Sequence, residues 1–463
     1  MAFIKTFFDT FGAVVIVPIM LFFINIGFHV KPKKAFISAL SAGVGLQGFQ
    51  LIINAYGPIV NPLINKMVEE SGVNLPITDM GWQPASIIAY STEIGMIFVL
   101  ICILIQLALF MTRYTNVFQA GDLWNNYSYM VWGSMLYLMT GSLFMGLLLM
   151  VVLQLYTLLC AEFIAPRWSS YYGYPSCSIA SLHTVTCAPY AVAMNYLLDK
   201  LGLYKVKADP DSFKKKLGFM GDPMTLGLIL GLIIGIIGNF KSLFTLKAWG
   251  EILACGIATA AVMAVFPKVS SIFSGSFTAI TEATKKTAKG TKGEWFLAVN
   301  DATGYGEPAT LITGIMLMPI TLALAFLLPG NQTLPMLDLV AIPYIIQPIV
   351  ASSKGNVVKS LISGSIWMAI GLYVCTISSP MFTQVAQGVG VEIATGIMMI
   401  TSFAIFSHPL PCIIFLAFAS QNILLIALTI VVYAVLFFLF KRNKAAIYRW
   451  IETSASRGEE IAA

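Results

Sequence analysis

Residues 293–311 hold the side chains best suited to chemistry, Asp301 and Glu307. Both acids stand among small and aromatic residues, between a Lys-rich stretch (Lys285, Lys286, Lys289, Lys292) and an apolar run from Ala309 to Leu328. Unpaired polar groups in hydrocarbon cost several kcal/mol, so ionisable residues at such places are functional by default. Gly304, Gly306 and Pro308 break a helix rather than build one. A broken element with two carboxylates, just before an apolar span, is how transporters commonly build a substrate site. The competing reading is a cytoplasmic loop whose acids are simply hydrated.

Three histidines are present. His29 sits beside Lys31 at a helix end, where a cation is expected for structural reasons. His408, between Ser407 and Pro409, suits either a structural or a functional role. His183 is the better candidate, because it lies in an otherwise apolar run with Thr184 and Thr186, close to the helix-breaking Pro189. Together Gln47, Gln50, Trp82, Asn125, His183, Asp301 and Glu307 offer donors, acceptors and aromatic faces, which suit a neutral polyhydroxylated solute. No Arg lies among them, which disfavours a strongly anionic one. Helix–helix hydrogen bonding is the alternative for Gln47 and Gln50, and interfacial anchoring for Trp82.

The chain lacks a GxxxxGK[ST] loop, an HExxH motif and any Cys/His cluster, so neither ATP hydrolysis nor a metal is expected, and no cofactor is implied. The serines before His183 have no nucleophile-elbow context, which disfavours a hydrolase. Seven cysteines are scattered, mostly within apolar runs, and read as small buried residues.

The elements that must position these groups follow from composition. Of 463 residues 58% are hydrophobic and 10% charged, with a mean hydropathy of +0.84. A soluble domain carries roughly 25% charged residues, so an all-α polytopic membrane protein is expected. The excess of +6 lies in short clusters beside apolar runs, as topology signals do, and does not suggest nucleic acid. Eleven runs are long or apolar enough to span: 7–29, 35–55, 92–112, 128–158, 179–199, 223–240, 249–266, 309–328, 339–352, 358–378 and 412–440. The fifth and ninth are weak and suit broken or re-entrant helices. The first looks like a retained span rather than a signal peptide. The clusters Lys31–Lys34, Arg113, Lys200–Lys216, Lys268–Lys292, Lys354–Lys359 and Lys441–Lys444 all fall inside if the N-terminus is outside and the C-terminus inside. Arg167 is the only basic residue left in the outside loop between the fourth and fifth runs. Residues 1–463 read as one membrane domain with cytoplasmic loops at 200–222 and 267–292, the latter amphipathic. Residues 56–91, 171–190 and 401–411 are too broken for spans and too apolar for water, and are candidate cavity linings. A Gly-acid-Pro-x-Thr-Leu element at 221–226 and again at 306–311 suggests an old duplication, although helix capping alone also explains it.

A family resemblance rests on Asp79-Met80-Gly81-Trp82, Thr140-Gly141-Ser142, residues 218–225 (Gly-Phe-Met-Gly-Asp-Pro-Met-Thr), residues 329–335 (Pro-Gly-Asn-Gln-Thr-Leu-Pro) and Leu361-Ile362-Ser363-Gly364. In this order and spacing, over nearly its whole length, the chain resembles the galactitol-type IIC components of the bacterial phosphoenolpyruvate-dependent phosphotransferase system, which are related to the ascorbate-type IIC proteins. The resemblance implies a homodimeric permease of the bacterial inner membrane, with a dimerising part and a mobile substrate-holding core. It also implies a separate cytoplasmic IIB protein whose phosphocysteine phosphorylates the solute, itself supplied through IIA; this chain contains neither partner domain. Asp301 aligns with an acid of the family. His183 matches a family His-x-Thr neighbourhood in part, since Thr184 follows it directly. Glu307 falls where relatives carry a histidine, so the implied solute is galactitol first and another hexitol, pentitol or ketose second. Either Asp301 or Glu307 would take the proton of the reacting hydroxyl. Residues alone also allow a proton-coupled secondary transporter, in which the same acids carry coupling protons.

Overall fold

Apolar runs joined by glycine turns and proline breaks dictate a helical chain that repeatedly reverses, and the computed structural model of the protein is mostly helix. It describes residues 15–456 except 16–17, 72–74, 120–122, 211–222, 277–278, 280–294, 394–396 and a few isolated positions. A long helix, α1 (Pro32–Ser71), packs against α8 (Pro223–Gly238) and α9 (Leu246–Gly275). Gly227, Gly231 and Gly235 let α8 and α9 approach closely, because a Cβ at any of them would overlap the α9 backbone.

The remaining elements form two matching halves. The first runs β1 (Ile77–Asp79), α2 (Gln83–Ser91), α3 (Glu93–Met111), β2 (Val117–Gln119), α4 (Leu123–Thr140), α5 (Leu143–Tyr172), β3 (Cys177–Ile179), α6 (Leu182–Val185) and α7 (Ala188–Lys200). The second runs β4 (Phe296–Val299), α10 (Ala302–Tyr305), α11 (Pro308–Leu327), β5 (Thr333–Leu334), a short turn, α12 (Ile342–Ile345), α13 (Gln347–Ser352), α14 (Val357–Gly388), β6 (Met399–Thr401), α15 (Phe403–Phe406) and α16 (Pro409–Ala419). Helix α17 (Ile423–Ser456) closes the chain.

Two small parallel sheets lock the halves together by exchanging their central strands. In one, β1 of the first half lies between β5 and β6 of the second, with Ile77 opposite Thr333 and Met399. In the other, β4 of the second half lies between β2 and β3 of the first, with Leu297 opposite Phe118 and Cys177. α3 leads from the first sheet to the second and α11 leads back, so the halves run in opposite senses. Each of these helices, at 1.5 Å per residue, is about as long as the hydrocarbon core is thick. The halves also share a turn: Gly141 (φ 70°) is followed by Ser142, which accepts the Met145 N–H and caps α5. Gly355 (φ 75°) is followed by Asn356, which accepts the Lys359 N–H and caps α14.

These halves correct several expectations. The run 128–158 is not one tilted span but the hairpin α4–α5, broken at Gly141-Ser142; Gly133 and Gly146 face each other where the two helices touch. Residues 56–71 continue α1 as helix in spite of Pro58 and Pro62. The weak runs 179–199 and 339–352 are indeed broken, and 412–440 is interrupted at 420–422. The duplication pairs 77–200 with 296–419 rather than 221–226 with 306–311, and residues 221–222 lie outside the described residues. The helix expected from residue 267 begins as the last turns of α9, where Val269 packs on Gly48; most of its remainder lies outside the described residues. The all-α expectation misses only the two sheets.

Among the described residues five helices are long and apolar enough to cross a membrane: Leu143–Tyr172, Leu246–Val265, Pro308–Leu327, Val357–Gly388 and Ile423–Ser456. With the shorter apolar helices beside them, this is a multi-pass membrane protein. α17 turns Ile423, Leu424 and Phe438 outward, as a lipid-facing helix does. At 34 residues it outruns the bilayer, and its polar end straps the core. Buried Glu162 of α5 accepts from Lys441 Nζ (2.7 Å) and Lys444 Nζ (2.8 Å). Arg167 is not in an outside loop: it lies within α5, donating to Glu452 (2.7 Å) and to the Ala351 carbonyl (2.9 Å). It therefore sits at the same end of the molecule as Lys441 and Lys444. Glu162→Ala, which leaves the two lysines facing each other, is expected to cost about 2–3 kcal/mol, below the full cost of breaking a buried pair because both lysines keep some solvent contact. Thermal unfolding of the detergent-solubilised protein measures it.

Candidate functional site

Each half ends in a unit of strand, short helix, break and second helix. In the first, β3 and α6 lead to Thr186-Cys187, and Pro189 starts α7. In the second, β6 and α15 lead to Ser407-His408, and Pro409 starts α16. Irregular backbone of this kind survives at membrane depth only where protein or water satisfies it. The two short helices α6 and α15 pack against each other, so both breaks face the middle of the molecule.

Asp301 follows the central strand β4 and is fully buried. Its Oδ2 accepts from His183 Nε2 (2.9 Å) and from Thr184 Oγ1 (2.9 Å), both on α6. With the carboxylate at Nε2, that nitrogen carries the proton, and the neutral ring accepts the Ser128 hydroxyl of α4 at Nδ1 (2.7 Å). A chain of hydroxyl, imidazole and carboxylate thus links three elements. Behind it, Gln347 donates to the Asp301 carbonyl, and Trp168 Nε1 donates to Gln347 Oε1 at 3.2 Å. Gly304 is required here, since a Cβ would overlap the Gln347 amide.

Glu307 lies in the same segment but does different work. Its carboxylate accepts from the Ala309 N–H (3.1 Å), the Thr310 N–H (2.8 Å) and Thr310 Oγ1 (2.8 Å), capping α11. Tyr171 of α5 lies beside it. Every one of these partners belongs to the helix start or the α5 wall, which is a structural set.

Gln47 is exposed on α1. The side chains of Gln50 and Asn125 lie outside the described residues. Trp82 is 39% exposed at the start of α2, and its carbonyl accepts from Tyr127. Among the described residues no group of acids, histidines and cysteines could hold a metal.

Sequence reasoning missed Ser128 and Gln347. Gln347 left a signal, as a lone amide in an apolar run before Pro348. It gave no separate role to Asp79, which ends the central strand of the other sheet much as Asp301 follows β4. Asp79 accepts from the N–H groups of Gly81 (3.0 Å), Phe403 (3.1 Å) and Asp338 (2.8 Å), tying β1 to both partner strands' exits.

Comparison with known proteins agrees with this architecture. The family model EIIC-GAT, described as the PTS system sugar-specific permease component, matches residues 6–396. A permease IIC component of Escherichia coli (strain K12) is 31% identical over 388 residues, 83% of this chain and 86% of the relative. The PTS system galactitol-specific EIIC component of the same strain is 28% identical over 415 residues, 89% of this chain and 90% of the relative. Its counterpart in Escherichia coli O157:H7 has the same identity and coverage. With a family match over most of its length, two oppositely running halves and a buried His–Asp pair between their broken helices, this chain belongs to the EIIC-GAT family of PTS sugar permease components.

Proposed function

We propose that the chain imports galactitol or a close polyol, and that the solute binds against His183 and Asp301 and is phosphorylated there by a cytoplasmic IIB protein. The observation that carries this reading is the Ser128–His183–Asp301 chain, buried where the two broken hairpins meet. A neutral solute suits it, because the Asp301 carboxylate is already bonded by His183 and Thr184 and presents no cation to an anionic one.

In the proposed step a terminal hydroxyl oxygen attacks the phosphorus of the IIB phosphocysteine. The phosphorus–sulfur bond breaks, sulfur leaves as thiolate, and the hydroxyl proton passes to the Asp301 carboxylate, with His183 holding it in place. Such transfer needs chiefly alignment and charge management, so one positioned base and one constrained hydroxyl suffice. The charged product then fits the cavity less well than the neutral solute, which favours release.

Glu307, a helix cap, is left out of the chemistry. Glu307→Gln keeps one acceptor for the cap and is expected to change phosphorylation less than about fivefold. A loss as large as that of Asp301→Asn would return Glu307 to the role of base.

We assign the chain eleven crossings and two re-entrant hairpins, with the N-terminus outside and the C-terminus inside the bacterial inner membrane. The hairpin α4–α5 adds a crossing and the broken run 179–199 removes one, so the later loops keep their sides. Arg167 then joins the cytoplasmic cations. The group α1, α8 and α9 carries exposed apolar side chains such as Ile37, Leu40, Leu253 and Ile257, and is assigned to dimerisation and lipid contact. A panel of labelled hexitols, pentitols and ketoses, offered to membranes with IIA, IIB and phosphoenolpyruvate, tests the solute. Galactitol or a near epimer is expected to be phosphorylated fastest; a preference for ketoses would refute the polyol assignment.

A further inference from the structure

The second hairpin supplies a histidine to the same central region, and its surroundings are unusual. His408 is fully buried at the break between α15 and α16. Its Nε2 lies 3.0 Å from the Ala404 carbonyl and so donates to it, which leaves Nδ1 as a bare acceptor, and no protein group bonds to that nitrogen. Beside it, Trp367 of α14 is 4% exposed, and its indole N–H also has no protein partner. The His408 and Trp367 rings are 6.2 Å apart between centroids. The adjacent Ser407 hydroxyl is buried and equally unpartnered. Buried polar groups are normally bonded, and each one left unmet disfavours the empty site.

The arrangement is built rather than accidental. Gly371 stands one helical turn beyond Trp367 and lets Ser407 approach, since a Cβ there would lie 2.7 Å from Ser407 Cβ. Tyr190, on α7 of the first hairpin, packs its ring against Trp367 at 4.8 Å and anchors its hydroxyl on the Ser363 carbonyl at 2.7 Å. His183 lies on α6, which packs against α15, the short helix that precedes His408. One unpartnered group here is a donor only, one an acceptor only, and one is both. A hydroxyl, which donates and accepts at once, is the neutral ligand group that satisfies such a set.

We propose that Trp367, Ser407 and His408 form a second subsite that binds the hydroxyls of the polyol remote from the His183–Asp301 end, and so set which polyols are accepted. This rests on the polyol reading above. Two hairpins of opposite sense would then hold one solute by its two ends.

The test compares equilibrium binding of galactitol with that of its analogue lacking one terminal hydroxyl, using the full-length protein in detergent. The wild type is expected to bind the deoxy analogue about tenfold more weakly. Trp367→Phe keeps the ring and removes the N–H. It is expected to weaken galactitol binding about tenfold and to bring the two ligands close to parity, which is the coupling that a ligand hydroxyl and an indole N–H must show if they touch. Ser407→Ala should shift the ratio in the same direction, by less. Trp132→Phe serves as the control, since Trp132 is another buried indole without an N–H partner but sits among Phe406 and Phe415; its ratio should match the wild type. If Trp367→Phe and Ser407→Ala both keep the wild-type ratio, the subsite is refuted and those groups are met by water. If the wild type binds and phosphorylates no polyol at all, the functional reading itself fails and takes the subsite with it.

Discussion

Replacing Asp301 with Asn is expected to lower phosphoryl transfer to the solute by about 10²–10⁴-fold, the usual range for removing a positioned general base. The substitution isolates chemistry from architecture. Asn presents a carbonyl oxygen where Oδ2 now accepts from His183 and Thr184, and the Gln347 bond goes to the backbone carbonyl, which is unchanged. Solute affinity should therefore fall far less than turnover, by about tenfold at most. Phosphorylation in membranes supplied with phosphorylated IIB, set beside equilibrium binding, separates the two. Turnover within about threefold of the wild type would remove Asp301 from the mechanism.

His183→Ala is expected to be nearly as damaging, but in a different way. It removes the donor at Nε2 and the acceptor for Ser128 together. The fully buried Asp301 carboxylate then loses one of its charge-assisted bonds. Truncating one partner of such a pair costs about 2–5 kcal/mol, corresponding to about 30- to 5,000-fold, and much of that reflects the charge left behind. Binding and turnover should fall together here, whereas in Asp301→Asn they separate. Binding isotherms and initial rates on the same preparation distinguish the patterns. His183→Ala with wild-type affinity would show that the imidazole does not hold the solute site together.

How far the sequence foretold this can be judged residue by residue. Asp301 and His183 stood out because an ionisable side chain in an apolar stretch needs a reason, and the fold joins the two across 118 positions. Glu307 stood out by the same rule, but its reason is helix capping, which the following Pro308 and Thr310 already announced. Gln47 illustrates the limit of side-chain chemistry as a guide, because polarity alone does not say which face of a helix is turned inward. Hydropathy found where the chain is apolar but not where it reverses. The break at Gly141-Ser142 needs only one left-handed glycine and one capping serine, both visible as residue types and neither visible in an averaged window. The strand exchange had no sequence signal at all. Strands of two to four residues carry no readable period, and their partners lie in the opposite half of the chain.

The two sheets also explain why acids sit where they do. Each central strand is flanked on both sides by strands of the other half, so its exit meets the N-terminal ends of short helices. Those ends present unpaired N–H groups that favour an anionic side chain. Asp79 uses that environment wholly for structure, accepting four backbone N–H groups. Asp301 uses a histidine and a threonine instead. The same architectural position is thus a clamp in one sheet and a site in the other, and the difference lies in what α6 and α15 offer: side-chain donors in the first, backbone donors in the second.

The central claim is that the solute is carried and phosphorylated together. Its most direct test is uptake of labelled galactitol by membrane vesicles containing the chain, with and without phosphoenolpyruvate and with IIB present or omitted. The account predicts that galactitol phosphate accumulates and that the signal vanishes when IIB is withheld. Free galactitol accumulating on a proton gradient alone, with no phosphorylated product, would contradict it and make His183 and Asp301 a proton-coupling pair.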